Sequence, residues 1–242
     1  MSAVFTLQGI KKSYVGTILK KIGAPLLPGW VDAGRRIVQG PHLRGMLQRV
    51  MRESPHIGTI LNAGAGEGLY SSLLLEFSSA IQLLELDASY NRSTRCARDT
   101  RQRFLGGSLT NLPLADQSVD LILCSEVLEH IDDDELALSE LVRVLSRNGW
   151  LLISVPTPPA VFDPAHVREG YGESDLRRLL EKNGLKVIEI RFCMYAVFKF
   201  FLRSYRQGWV PRIVVFTLSW IDRGLPFGKP MDLAMLARRK TT

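Results

Sequence analysis

The stretch "ILNAGAGEGLY", residues 60–70, decides the fold of this 242-residue chain. Its three glycines, Gly64, Gly66 and Gly68, stand two residues apart, after an apolar run and before a helical pattern. A strand, a glycine-rich loop and a helix in this order form a unit that binds nucleotide-like ligands at the carboxyl edge of a parallel sheet. Glycine suits the loop because it tolerates positive φ angles and has no Cβ to keep a ligand from the backbone. We therefore predict a ligand-binding loop here.

The spacing of these glycines excludes two familiar nucleotide loops. The dinucleotide fingerprint G-x-G-x-x-G would need a glycine where the chain has Leu69, and no Lys-Ser/Thr pair follows, as a phosphate-binding P-loop requires. Asp87 ends the next apolar run, nineteen residues after Gly68, where a carboxylate can accept hydrogen bonds from ribose hydroxyls. Glu85 is the alternative acidic residue. An aspartate that only caps a turn stays open as a second interpretation.

Apolar runs and helical patterns alternate through the middle of the chain, which indicates an α/β fold with a mostly parallel sheet. Strands are predicted over 57–64, 80–87, 103–107, 118–125, 150–156, 185–193 and 231–239. Helices are predicted over 68–77, 92–103, 132–149 and 173–184. The last two strands could form an edge pair, and residues 194–230 are not needed for the sheet.

Composition is typical of a soluble globular protein, since 46% of the residues are hydrophobic and 23% are charged. The apolar run 213–221 is too short to span a bilayer, and the first residues do not form a secretory signal. The three cysteines lie far apart, which argues against a disulfide framework or a paired-cysteine metal site. We expect a cytoplasmic location, with peripheral contact at a membrane surface left open.

Charge and aromatic residues are unevenly distributed. Residues 1–56 carry nine Lys/Arg against two Asp/Glu, and residues 157–242 carry fifteen against eight, around an acidic centre. Half of the twenty aromatic residues fall within 192–227. We predict two parts, a basic helical N-terminal extension over 1–56, acting as a lid or interaction segment, and a domain over 57–242 with an aromatic-rich insertion at about 194–230. These additions favour a large apolar or lipid-like acceptor. A helical lid that buries its aromatic rings, and nucleic-acid stacking, are the alternatives.

Five blocks of the chain resemble class I S-adenosylmethionine-dependent methyltransferases, in particular the type 11 group that includes quinone-biosynthesis methyltransferases. The blocks span residues 57–192 and read "LNAGAGEG", "LLELDAS", "GGSLTNLPLADQSVDLILCSEVLEHI", "LVRVLSRNGWLLISVPTP" and "HVREGYGESDLRRLLEKNGLKVIE". The resemblance implies a Rossmann-like three-layer α/β sandwich. Its sheet would have seven mostly parallel strands and an antiparallel last hairpin.

The same resemblance implies S-adenosylmethionine as the cofactor and assigns residues to it by position. The glycines would line its methionine part, Asp87 its ribose, and the segment of Ser108 and Leu109 its adenine. Ser108 and Asn62 depart from the family, which often has acidic residues at these positions. The implied cofactor set is Asn62, Gly64, Ala65, Gly66, Gly68, Asp87, Ala88, Ser108, Leu109 and Glu126.

Two histidines follow predicted strands at the same edge of the sheet and are candidate general bases, His130 and His166. If "SEVLEH" is helical, Glu126, Glu129 and His130 share one face. With His166 they could then hold a divalent metal. This arrangement resembles that of metal-dependent small-RNA 2′-O-methyltransferases and some quinone O-methyltransferases. Ordinary hydrogen bonding of these side chains is the alternative, and a metal is not expected.

The function predicted from the sequence is therefore S-adenosylmethionine-dependent methyl transfer to an oxygen of a small-molecule or lipid-like acceptor. Metal-assisted methylation of RNA ribose and a non-catalytic protein that keeps the cofactor fold for binding are the alternatives. The sequence leaves the acceptor and the oligomeric state open.

Overall fold

The computed structural model describes residues 30–77, 82–88, 99–160, 165–205 and 212–240. The strands are β1 Thr59–Ala63, β2 Gln82–Asp87, β3 Gln102–Gly106, β4 Val119–Ser125, β5 Leu145–Pro156, β6 Leu185–Cys193 and β7 Asp232–Arg239. The helices are α1 Trp30–Val38, α2 Gly40–Glu53, α3 Ser71–Phe77, α4 Asp134–Val144, α5 Glu173–Lys182, α6 Ala196–Tyr205 and α7 Arg212–Gly224.

These strands form one seven-stranded sheet in the order β3-β2-β1-β4-β5-β7-β6. Neighbours from β3 to β5 are parallel, and β7 pairs antiparallel with both β5 and β6. The predicted fold class and the antiparallel last hairpin are confirmed. Because β1 to β5 run in one direction, the loops that follow them meet at a single carboxyl edge.

Each face of the sheet buries its own apolar cluster. One cluster joins Leu47 of α2, Leu74 of α3 and Trp150 of β5. The other joins Leu141 of α4 and Leu176 of α5 to the opposite face. Burying an aliphatic side chain of this size contributes about 1.5–3 kcal/mol to stability. Coverage on both faces explains why these strands appear in the sequence as continuous apolar runs.

Two predicted helix boundaries are wrong. The helix predicted to reach residue 149 ends at Val144, because Leu145 begins β5 and pairs with Val119 of β4. The predicted helix 92–103 falls partly outside the described residues, and its last part is a turn that leads into β3 at Gln102. In that turn the Asp99 carboxylate accepts hydrogen bonds from both the backbone and the side chain of Arg101. In both places strand pairing or a local turn outweighs helical spacing.

The helices at the two ends of the described chain pack near each other. Helix α1 contacts α7, and α2 buries Leu43, Met46 and Val50 against the sheet. The predicted insertion 194–230 contains α6 and α7, and residues 1–29 of the predicted extension lie outside the described residues. Among the helices described, none combines the length and the hydropathy needed to cross a bilayer.

Candidate functional site

The glycine loop after β1 is held against the end of β2. Gly64, Gly66 and Gly68 have φ angles of +72°, +56° and +72°, which side chains rarely allow. The Ala65 N–H donates to the Leu86 carbonyl at 2.8 Å, so the loop lies directly over the neighbouring strand. This geometry explains why the chain needs glycine at three alternate positions.

What surrounds Gly64 differs from what surrounds Gly66. A Cβ on Gly64 would lie 2.3 Å from Cγ2 of Val127, so glycine is required there by packing within the protein. A Cβ on Gly66 would meet no atom of the described residues within 4 Å. The backbone at Gly66 therefore faces open space, as a cradle for a ligand does.

Asp87 stands at the edge of this cradle. Its Oδ2 accepts a hydrogen bond from the Gly66 N–H at 2.8 Å, which aims the carboxylate at the loop. A carboxylate has further lone pairs with which to accept ribose hydroxyls. The alternative, Glu85, points into the protein and accepts from Asn62 at 2.7 Å and from Gln102 at 3.2 Å. Asn62 thus anchors β1 to β2 through its amide, and Asp87, rather than Glu85, is the carboxylate that contacts the glycine loop.

The segment assigned to adenine follows β3. Ser108 is exposed, and its hydroxyl lies 2.7 Å from that of Thr110 and accepts from the Thr110 N–H at 3.2 Å. Leu109 is buried in the core cluster beneath this turn. Ala88, directly after Asp87, is exposed at the same edge. Their roles in binding a cofactor remain predictions.

Glu126 does not lie where a helical "SEVLEH" would place it. Its φ angle is +56°, and only Leu128–His130 form a short 3₁₀ turn. The expectation that Glu126 shares a helical face with Glu129 and His130 is therefore wrong. Its carboxylate instead forms an ion pair with Arg35 of α1 at 3.2 Å. A non-glycine residue held in this backbone region costs about 1–3 kcal/mol and is commonest at functional sites.

A buried polar cluster lies beside Glu126. Gln39 donates to the Ser154 hydroxyl at 3.1 Å and to the Asp232 carboxylate, and it accepts from the Tyr70 hydroxyl. The Ser154 hydroxyl is also 3.3 Å from Glu126 Oε1. Burial, and then the nearby Glu126 carboxylate, raise the pKa of Asp232 well above its usual range. Sequence reasoning missed this cluster, and its one local signal was an aspartate at the head of an apolar strand.

Three further groups near this edge stay protonated. Burial is the main cause that raises the pKa of the Tyr70 hydroxyl and of the Cys124 and Cys193 thiols. A thiol must ionise to act as a nucleophile. Cys124 is thus a packing residue, buried in one of the two apolar clusters.

Glu129, His130 and His166 come together where the segments that follow β4 and β5 meet. One possible ligand atom from each lies within 4.8 Å of the others, and the imidazole rings are 4.6 Å apart between centroids. His130 Nδ1 is 3.0 Å from the Ala165 carbonyl, which can only accept, so this nitrogen carries the proton. In a neutral imidazole Nε2 then holds the lone pair, and this nitrogen lies 3.8 Å from Glu129 Oε1. Three of the four residues considered for a metal are thus brought together, without Glu126.

A salt bridge holds the segment that carries His166. Arg168 contacts the Asp134 carboxylate at the start of α4 and donates to the carbonyls of Ile131 and Asp132. The Tyr171 hydroxyl donates to the same Asp134 carboxylate at 2.7 Å. These contacts fix the loop after β5 against the loop after β4, which places the two histidines side by side.

Known proteins resemble this chain in sequence and in fold. A family model described as "Methyltransferase domain" matches residues 61–153, from β1 into β5. A probable S-adenosylmethionine-dependent methyltransferase of Mycolicibacterium smegmatis is 34% identical over 138 residues, which are 53% of this chain and 52% of that protein. A malonyl-[acyl-carrier protein] O-methyltransferase of Methylococcus capsulatus is 32% identical over 114 residues, 45% of this chain and 41% of that protein.

Solved structures share the fold. An S-adenosylmethionine-dependent methyltransferase from Mesorhizobium loti superposes with a TM-score of 0.56 at 21% identity, covering 82% of this chain and 96% of its own. The [4+2]-cyclase SpnF superposes with a TM-score of 0.58 at 19% identity, covering 82% of each chain. The chain spans about half the length of the curated relatives that it matches. Residues 61–153 thus match the family model of a methyltransferase domain, and the chain has the fold of an S-adenosylmethionine-dependent methyltransferase.

Proposed function

We propose that this protein binds S-adenosylmethionine, the cofactor of its family, and transfers the methyl group to an oxygen of a small-molecule or lipid-like acceptor. The observation that carries the proposal is the open backbone at Gly66 beside the carboxylate of Asp87. The fit is chemical as well as spatial, since a carboxylate accepts both hydroxyls of a ribose.

The residues that would hold the cofactor surround this cradle. The loop 64–68 would contact its methionine part, Asp87 its ribose, and the turn at Ser108 and Leu109 its adenine. When bound, S-adenosylmethionine supplies a sulfonium methyl group that is already electrophilic. The main task of the protein is then to align acceptor and methyl carbon, which can lower the barrier by up to about 7–11 kcal/mol.

The acceptor hydroxyl must lose its proton as its oxygen attacks the methyl carbon. His130 Nε2 carries a lone pair when Nδ1 donates to the Ala165 carbonyl, so it can take that proton. The Glu129 carboxylate, 3.8 Å from Nε2, would stabilise the imidazolium that results. The contact with the His166 ring limits how His130 can turn. General-base assistance of this kind is worth roughly 100- to 10,000-fold in rate.

Two observations support an oxygen acceptor of apolar character. One relative is named as an O-methyltransferase. The helices α6 and α7, which lie between the carboxyl end of β6 and the start of β7, expose apolar side chains. Functional sites are built from parts added to a common fold, so we expect the acceptor to be bound by the segments attached to the methyltransferase core. Exposed apolar side chains on such segments suit a large apolar acceptor.

The test of the cofactor site is calorimetric titration of S-adenosylmethionine into Asp87→Asn, with Asp120→Asn as the matched control. Asp87→Asn keeps an oxygen for Gly66 but loses the charge offered to the ribose, so we expect affinity to fall roughly tenfold to a hundredfold. Asp120 also binds backbone N–H groups, those of Gly58 and Thr59, at the opposite edge of the sheet. Equal affinities in wild type and Asp87→Asn would overturn the ribose assignment. No binding by the folded wild type would favour the non-catalytic alternative.

Methyl transfer is tested by supplying S-adenosylmethionine with a labelled methyl group to the protein and a lipid extract. We expect labelled O-methyl products, lost with His130→Gln while cofactor binding is retained. Labelled product formed equally by His130→Gln would remove this histidine as the base.

The cluster of Glu129, His130 and His166 supports metal-assisted transfer as a second candidate. A histidine that donates Nδ1–H to a carbonyl and offers Nε2 is arranged as metal-binding histidines commonly are. Calorimetric titration of Mn²⁺ separates the candidates. Binding of Mn²⁺ that is lost in His166→Ala, together with activity restored by Mn²⁺ after chelation, would support the metal. Full activity in excess chelator would exclude it.

A further inference from the structure

We propose that the outer face of α7 and the turn after it form a docking surface for an anionic lipid bilayer. The surface consists of Ile213, Val214, Trp220, Ile221, Leu225 and Phe227, here named the α7 face. Its occupant would be a bilayer surface that the protein touches without crossing. This inference rests on the proposed function only where it concerns how a lipid-like acceptor would reach the site.

The α7 face collects most of the large apolar side chains that the described part of the chain exposes. Seven of those nine lie between Phe200 and Phe227, and the exposed fractions reach 71% at Ile213 and 75% at Phe227. Scattered apolar residues on a surface are ordinary, whereas a contiguous group marks an interaction surface. On α7 these residues recur at helical spacing, at 213, 214, 220 and 221.

The opposite side of α7 is already occupied within the protein. Ser219 and Asp222 are buried, and both carboxylate oxygens of Asp222 accept from backbone N–H groups at the start of α6. Helix α7 also packs on α1. Among the residues that the structure describes, the α7 face is thus the side of the helix that is not packed against the protein.

Charge distinguishes a bilayer from other occupants. Between residues 194 and 231 the sequence has six Lys/Arg and one acidic residue, the buried Asp222. The exposed Arg223 guanidinium lies 4.9 Å from the centroid of the Trp220 ring, and Lys229 is exposed close to Phe227 in the sequence. Basic side chains beside exposed aromatic and aliphatic ones suit the headgroup region of an anionic membrane. A second copy of the chain across a two-fold axis would bring like charges together, and a nucleic acid would gain nothing from the aliphatic side chains.

The position of the α7 face connects it to the site. Helix α6 follows the carboxyl end of β6, and α7 leads into β7 at Asp232, beside the buried polar cluster. Helix α1, which contacts α7, also carries the Arg35 partner of Glu126. A bilayer on this surface would present its lipids at the edge of the sheet where the cofactor cradle lies.

The test is flotation of the protein with phosphatidylcholine vesicles, with and without phosphatidylglycerol. We expect binding that needs phosphatidylglycerol and weakens at high salt. The double variant Ile213→Ser/Phe227→Ser should lose at least about tenfold in partitioning, and Arg223→Glu/Lys229→Glu should bind less. The matched controls are Leu136→Ser and Arg178→Glu, exposed changes on α4 and α5. They should bind as wild type does.

Three outcomes would overturn the proposal. They are no flotation with any vesicle, wild-type flotation by both double variants, and concentration-dependent self-association that the same variants abolish without lipid. The third outcome would assign the surface to a second copy. Calorimetric titration of S-adenosylmethionine into the same variants keeps this test separate from the proposed function, because the affinity should remain at the wild-type value.

Discussion

Gly66 and Gly184 share a left-handed backbone but lie at opposite edges of the sheet. Their φ angles are +56° and +78°, and a Cβ at either would meet no atom within 4 Å in the part of the chain that the structure describes. Alanine at each position should therefore cost a similar amount of stability, about 1–2 kcal/mol. Only the Gly66→Ala methyl group would enter the cofactor cradle, so we expect a loss of about tenfold or more in affinity for S-adenosylhomocysteine. Calorimetry and denaturant unfolding of both variants check this, and equal affinities would contradict it.

The raised pKa of Asp232 predicts how the free energy of unfolding depends on pH. Its pKa is raised by burial and by Glu126, while Arg35 acts in the opposite direction. Between about pH 4, where an unfolded aspartate titrates, and the raised pKa, the folded state binds more protons than the unfolded state. This carboxyl's contribution to the free energy of unfolding therefore falls as pH rises through that window. Asp232→Asn removes the contribution, so the free energy of unfolding of the variant minus that of wild type should increase from about pH 5 to about pH 8.

Denaturant unfolding at the two pH values provides the measurement for Asp232→Asn. Asp175→Asn, at an exposed position of α5, controls for the loss of one carboxylate. A difference that stays constant or decreases with pH for Asp232→Asn would show that Asp232 is ionised in the folded protein.

At the scale of elements, Asp222 joins α7 to α6. Its Oδ1 accepts from the Phe198 N–H and its Oδ2 from the Tyr195 N–H, both at 2.8 Å. Asp222→Asn would turn an amide NH₂ towards one of these donors, which should cost about 1–3 kcal/mol. We expect faster proteolysis within residues 194–230, as measured by limited digestion and mass spectrometry. Asp120→Asn is the control, because one Asp120 oxygen accepts both of its backbone donors and an asparagine keeps an oxygen. Equal digestion rates would refute this role of Asp222.

The elements themselves were largely predictable because most strands are buried on both faces and therefore appear as continuous apolar runs. The boundary between α4 and β5 was not, since Leu141 and Leu145 satisfy helical spacing while pairing with Val119 draws Leu145 into the sheet. The loop glycines and Asp87 could be predicted from the sequence, because a glycine-rich loop and the end of a strand are each recognised from a few consecutive residues. Two contacts could not be predicted, the ion pair of Arg35 with Glu126 and the hydrogen bond of Gln39 to Asp232. Both depend on where α1 packs, and no local sequence pattern indicates that.

At the scale of the whole molecule, the cofactor cradle is joined to a single sheet. The loop 64–68 follows β1, an inner strand of the sheet, and Asp87 ends the neighbouring strand. A ligand that binds this edge only in the folded state should stabilise the whole cooperative unit by mass action. S-adenosylhomocysteine at a hundred times its dissociation constant should add about 2.7 kcal/mol. For a chain of this length, that corresponds to a rise in melting temperature of about 5–10 °C.

Variants in different parts of the molecule show whether this rise in melting temperature comes from binding at the loop 64–68. Asp222→Asn should melt at a lower temperature but keep the full shift, because the joint between α6 and α7 does not contact the cradle. Gly66→Ala should lose most of the shift at the same ligand concentration, and Gly184→Ala should keep it. Differential scanning calorimetry measures all three against wild type. A folded wild type whose melting temperature does not move at a saturating ligand concentration would show that the edge of this sheet does not hold the adenosyl group, whatever the family match implies.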